Sequence, residues 1–186
     1  MRRFPAVLAL AVLAGCDLFS AREPEPPATE SGTYVQPDQP EAVIENLENA
    51  IAELNTLNYR RSLASDLQFR PTATAEARDA VWDGWGRPQE EQYYSTLVAA
   101  AQDAEGHSLV LNDRSLTVVD VTNFQLDATY VLSVNHRRPD VPTQVQGRLI
   151  WLIRQSSEGL WELAEWTDQE LSVSPTWSDL KAEFVK

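Results

Sequence analysis

The apolar positions of this chain recur at helical spacing through its first half and alternate through its second. Between residues 38 and 59, Val43, Ile44, Leu47, Ala50, Ile51 and Leu54 form one stripe, with Glu45, Glu48 and Glu53 opposite, which predicts an amphipathic helix. Asp38-x-x-Glu41 has the form of a capping box, and Pro40 falls in the first turn, where its missing N–H costs nothing. "YRRSLAS" (59–65) predicts a short second helix, and "DLQFRP" (66–71) a brief strand closed by Pro71. The Ala-rich stretch that follows is partly helical, until Gly84 and Gly86 break it. A further helix starts near Pro88, with Glu90 and Glu91 by its positive end and Tyr94, Leu97, Val98 and Ala101 as its stripe; Gly106 closes it.

Beyond residue 106 the period becomes two. "SLTVVDVT", "QLDATYVLSVNH", "TQVQGRLIWLIRQ" and "LWELAEWT" are rich in β-branched and aromatic residues. Leu126, Ala128, Tyr130, Leu132 and Val134 share one face of the second of these. Turn signals at 137–142 and at Gly159 separate consecutive strands, which implies an antiparallel meander. Residues 149–153 are apolar on both faces, so that strand is expected at the centre of the sheet with both sides covered. A last short helix is expected after Thr176-x-x-Asp179.

The N-terminus follows neither period. Arg2 and Arg3 precede nine apolar or small residues, Pro5 to Leu13. That is too short to span a bilayer, which takes about 20 residues, and reads as a targeting segment. Leu13-Ala14-Gly15-Cys16 resembles the lipobox of bacterial lipoproteins. The resemblance implies cleavage before Cys16, lipidation of its thiol, and a chain held to a membrane of the bacterial cell envelope by several acyl chains. Residues 16–37, rich in Pro, Glu, Ser and Thr, are expected to be a disordered tether. The folded domain is then 38–186, after a signal peptide at 1–15.

Charge narrows the partners. The net charge is −13, and losing residues 1–15, with two arginines and no acid, makes it −15. Such a chain repels phosphate backbones, so no nucleic acid is expected. With Cys16 lipidated and two histidines in the chain, His107 and His136, neither a disulfide framework nor a zinc site is expected, and no cofactor motif is present. The acidic runs, Glu90 and Glu91 included, read as a solvated face.

The order helix, short helix, short strand, helix, then long antiparallel strands resembles the nuclear-transport-factor-2-like (NTF2-like), or SnoaL-like and cystatin-like, α+β cone. "NYRRSLASDLQFRP", "DGWGRPQEE" and "GLWELAEWTD" resemble local features of that family. The resemblance implies helices packed on a curved antiparallel sheet around a cone-shaped pocket, with dimerisation through the outer sheet face. Enzymes of that fold, ketosteroid isomerases and polyketide cyclases among them, use an acidic or histidine base in the cone. Here that makes Asp66 and His136 candidate general bases, and Tyr59, Trp85, Tyr94 and Tyr130 candidate lining of a pocket for a small apolar ligand. The bland readings are a turn cap for Asp66, a surface histidine for His136, and plain core for the aromatics. The leading expectation is a non-catalytic ligand- or protein-binding domain; the alternative is a cone-fold isomerase or lyase.

Overall fold

The computed structural model describes residues 32–101, 106–171 and 175–186. Cys16 and the segment expected to precede it lie outside the described residues.

Helix α1 (Pro40–Ala52) buries Val43, Ile44, Leu47, Ala50 and Ile51, the predicted stripe. Its N-cap is Gln39, whose side chain makes no capping bond, so Asp38 does not close a capping box. The helix ends where Leu54 takes a left-handed conformation (φ +52°) and Asn55 N–H donates to Ala50 O. Asn55 then accepts from Asn58 N–H and caps α2 (Thr56–Arg61). This second helix sits three residues earlier than expected, because an N-cap asparagine outweighs the Tyr59/Leu63 spacing. Strand β1 therefore starts at Leu63 and runs to Arg70.

A short α3 (Ala73–Arg78) and a 3₁₀ turn (Ala80–Trp82) lead to Gly84, whose φ of +67° re-aims the chain. Helix α4 (Arg87–Ala100) begins at Gly86, whose N–H is held by the Gln89 side chain. It stops at Ala101, which is extended, rather than at Gly106.

The second half is the expected meander: β2 (Ser108–Asp120), β3 (Asn123–Ser133), β4 (Gln144–Gln155) and β5 (Trp161–Gln169). The order across the sheet is β1-β5-β4-β3-β2, with β1 parallel to β5 and the other pairs antiparallel. Strand β4 is central, and its inward Leu149, Trp151 and Ile153 are fully buried. Ile150 and Leu152 on its outer face stay half-exposed within the single chain. Helix α5 (Trp177–Val185) starts with the Thr176/Asp179 capping box and packs against α4 and β4.

One segment differs from expectation. Residues 33–37, assigned to the tether, are bound to the domain. The Asn46 amide holds both backbone groups of Val35, accepting at 2.7 Å and donating at 2.6 Å. Glu53 accepts from Thr33 N–H, and Pro37 O accepts from Trp161 N–H at 2.8 Å. A Pro-rich composition predicts no core of its own, but a strand-like strap needs only donors and acceptors supplied by its neighbour.

Candidate functional site

The space between the concave face of the sheet and the helices is where this architecture would place a ligand. It is occupied by side chains. Trp166 on β5 packs edge-to-face on Trp177 of α5 (centroids 4.4 Å, 86°), on Trp151 of β4 (5.5 Å) and on Phe69 of β1 (5.4 Å). Trp82 and Trp85 close the same cluster from the 3₁₀ turn and the α4 N-terminus. Tyr59 stacks on Tyr94 at 3.8 Å.

Two polar clusters are sealed inside this aromatic packing. In the first, Lys181 of α5 donates to Glu90 Oε2 at 2.7 Å, both side chains having no solvent exposure. Tyr59 Oη donates to Glu90 Oε1 at 2.6 Å and Trp85 Nε1 to Oε2 at 2.9 Å. The Lys181 ammonium also lies over the Trp166 and Phe69 rings, at 3.5 and 3.6 Å from their centroids, a cation–π arrangement. Burial pushes the Lys181 ammonium down to about 8, against the pull of Glu90 and Asp168 in the other direction.

In the second cluster, Asp168 of β5 accepts from Tyr130 Oη at 2.8 Å through Oδ1, and from Ser178 N–H (2.8 Å) and Ser178 Oγ (2.6 Å) through Oδ2. Tyr130 Oη in turn accepts from Trp177 N–H at 2.7 Å. The N-terminus of α5 is thus tied to the sheet through a buried carboxylate, a placement its unpaired N–H groups favour. Burial raises the Asp168 carboxyl, opposed by the Ser178 and Tyr130 hydrogen bonds. Gly147 lies opposite Tyr130 in the β3–β4 ladder, and a methyl there would sit 2.7 Å from Tyr130 Oη.

Each sequence-derived candidate has a definite place. Asp66 is outside the cone, its side chain 63% exposed and paired with Arg154, whose hydrogen bonds hold the carboxyl below its usual range. It is neither a turn cap nor near an apolar cavity. His136 is buried rather than on the surface: its Nε2 is 3.1 Å from Pro142 O and its ring meets the edge of Phe184. Tyr59, Trp85, Tyr94 and Tyr130 are all buried within the core, and Tyr94 Oη donates to Ala50 O. The structure brings Tyr59 and Trp85 together on Glu90 and puts Tyr130 on the other cluster. Asp66 and His136 join neither.

Glu90, Asp168 and Lys181 were the residues sequence reasoning missed. Each has a signal in the pattern. Glu90 precedes Tyr93, Tyr94 and Leu97 by three, four and seven residues; Lys181 lies on the Trp177, Leu180, Phe184 stripe; Asp168 shares its strand face with Trp166.

A general base must reach the proton it removes. Both buried carboxylates have each oxygen engaged by protein donors, and neither faces an open space among the described residues. The concavities nearby are peripheral. One, about 120 Å³, lies between α2 and α4, lined by Leu57, Arg60 and Glu91 and by two of the predicted pocket residues, Tyr59 and Tyr94. A wider groove of about 620 Å³ runs past Arg78, Asp140, Asp179 and Lys186 on the surface of α5. Among the described residues no group of three or more His, Cys, Asp or Glu could hold a metal ion.

No protein-family model and no curated protein matches this sequence. Solved structures do. An NTF2-like protein of unknown function in nutrient uptake from Rhodospirillum rubrum is 12% identical, with a TM-score of 0.54 over 72% of this chain and 99% of that one. A ketosteroid isomerase-like protein from Erwinia carotovora atroseptica is also 12% identical, with a TM-score of 0.51 over 71% and 93%. The fold is the NTF2-like cone. At these identities the likeness extends to the architecture alone, and chemistry has to be argued from side chains.

Proposed function

We propose that this chain is a lipid-anchored protein of the bacterial cell envelope whose NTF2-like domain is non-catalytic and works by binding another protein through its surface. The observation that carries the reading is the filled cone: α5 places Trp177 and Lys181 where a substrate would sit, with Glu90 and Asp168 both consumed by internal hydrogen bonds. An isomerase or lyase using Asp66 or His136 has no support from their positions. A small apolar ligand has little room: Tyr59 and Tyr94 line only the concavity of about 120 Å³ between α2 and α4, and Trp85 and Tyr130 are not among its lining.

The anchor rests on Leu13-Ala14-Gly15-Cys16. No helix among the described residues is long and apolar enough to cross a membrane. The surface proposed for a partner, a second copy of this chain first of all, is the outer sheet face. Ile150 and Leu152 are half-buried there, between the Arg148–Asp127 and Arg154–Glu162 ion pairs, and Val131 lies beyond Arg148, opposite Gln146.

Labelled palmitate fed to a bacterial host expressing the full chain tests the anchor. Label on the wild type, lost in C16S together with membrane fractionation, is the expected result. An unlabelled wild type recovered in the soluble fraction would overturn it.

A further inference from the structure

Lys181 is seated as a ligand would be. Its ammonium has one carboxylate, Glu90, at 2.7 Å and two ring faces, Trp166 and Phe69, at 3.5 and 3.6 Å. Tyr93, Trp177 and Trp85 complete the enclosure at 5.6 to 6.0 Å. Apart from Trp177, all of these walls belong to other elements: Phe69 to β1, Trp166 to β5, Glu90 and Tyr93 to α4.

The carboxylate is also oriented independently of α5. Tyr59 and Trp85 donate to its two oxygens from α2 and from the turn before α4. Removing Lys181 would leave a carboxylate already aimed at an aromatic enclosure. Space-filling does not account for the pair. Burying two charges costs several kcal/mol per ion, and well-packed apolar residues of similar volume are often more stabilising. The enclosure of a cation by aromatic faces is instead the arrangement by which proteins recognise organic ammonium groups.

We propose that the interior of this cone is a binding site for a primary alkylammonium, with Glu90 as counter-ion and Phe69 and Trp166 as walls, occupied in cis by Lys181. The inference rests on the closed-cone reading above. It makes α5 a tethered ligand, with Asp168 and Tyr130 holding the helix so that its lysine stays in the site.

Lys181→Ala in the full chain tests it. The substitution deletes three methylenes and the ammonium, the skeleton of n-propylammonium. Folded fraction is followed by tryptophan fluorescence in urea, with n-propylammonium, with 1-propanol as the neutral probe of equal size, and with sodium chloride at equal ionic strength. The expected result is a saturable upward shift of the K181A midpoint with propylammonium alone, absent in K181A/E90Q. Should K181A be unfolded in buffer, folding on addition of the amine is the same result. No shift or folding at any amine concentration, an equal shift with 1-propanol, or a shift that survives E90Q would overturn the proposal. Wild type is expected to be unaffected by the amine. A saturable shift there would contradict the closed cone while leaving the cation site standing, so the two failures are distinguishable.

Discussion

Lys181 and Glu90 form an ion pair, 2.7 Å from Nζ to Oε2, with neither side chain exposed to solvent. They come from the last helix and from the first turn of α4, 91 residues apart. The pair therefore forms only when the whole cone has closed, and it joins the two helices that pack on each other over the sheet.

Breaking one side of a buried pair leaves an uncompensated charge. E90Q and K181M should each cost about 3–5 kcal/mol, and E90Q/K181M should be more stable than the sum of the two predicts. Urea midpoints of the four proteins give the coupling. Additive losses would mean that the two groups do not sense each other.

Tyr59, Tyr93, Tyr94 and Tyr130 should govern alkaline stability. Burial is the main cause raising each phenol, and Glu90 or Asp168 adds to it for Tyr59, Tyr93 and Tyr130. Folded values above the unfolded value of about 10 mean full stability below that pH. As pH rises past it, the unfolded chain loses protons that the folded one keeps, and stability falls. In a titration followed at 295 nm, these four tyrosines should ionise only as the protein unfolds. Reversible ionisation of all five tyrosines near pH 10 with the fold intact would contradict this.

Gly147 should not tolerate a methyl group. Its Cβ would fall 2.7 Å from Tyr130 Oη and 2.7 Å from Gln169 O, which is backbone and cannot step aside. G147A should lose about 1–3 kcal/mol, the usual range for overpacking. Displacing Tyr130 would also loosen the start of α5. Hydrogen exchange at the Trp177 amide, which donates to Tyr130 Oη, should accelerate more than the global loss of stability accounts for.

The Asn46 amide should account for the strap. It satisfies both backbone groups of Val35, so N46A should cost about 2 kcal/mol, two hydrogen bonds' worth. Protease cleavage near residues 33–37 should then become fast. Unchanged resistance would show that the Glu53–Thr33 and Pro37–Trp161 bonds hold the strap without Asn46.

Much of this architecture was legible in the sequence. Apolar and β-branched runs at 115–122, 125–136, 143–155 and 160–167 mark the four long strands, although β2 begins seven residues earlier, at Ser108, where Leu109 and Leu111 turn inward; the two-sided apolar run at 149–153 puts β4 at the centre. The parallel pairing of β1 on β5 was not legible, because a strand's partner at long range leaves no local trace. The interior is not legible in the sequence for one physical reason. Charged side chains are rarely fully buried unless paired, so the sequence offers no local reason to place Glu90 or Lys181 in the core. Their pairing partner is a tertiary fact. Glu91, by contrast, does face outward and binds Arg87. Asp66 lies on the short strand β1, which turns it outward to Arg154.

The central claim is that α5 fills the cone. Native mass spectrometry of residues 32–186, purified without detergent, tests it most directly. The filled cone predicts the bare polypeptide mass, or its integer multiples, with no organic adduct. A stoichiometric adduct of a few hundred daltons, lost on collisional activation and retained in a variant with the outer-face residues Ile150 and Leu152 changed to aspartate, would contradict it.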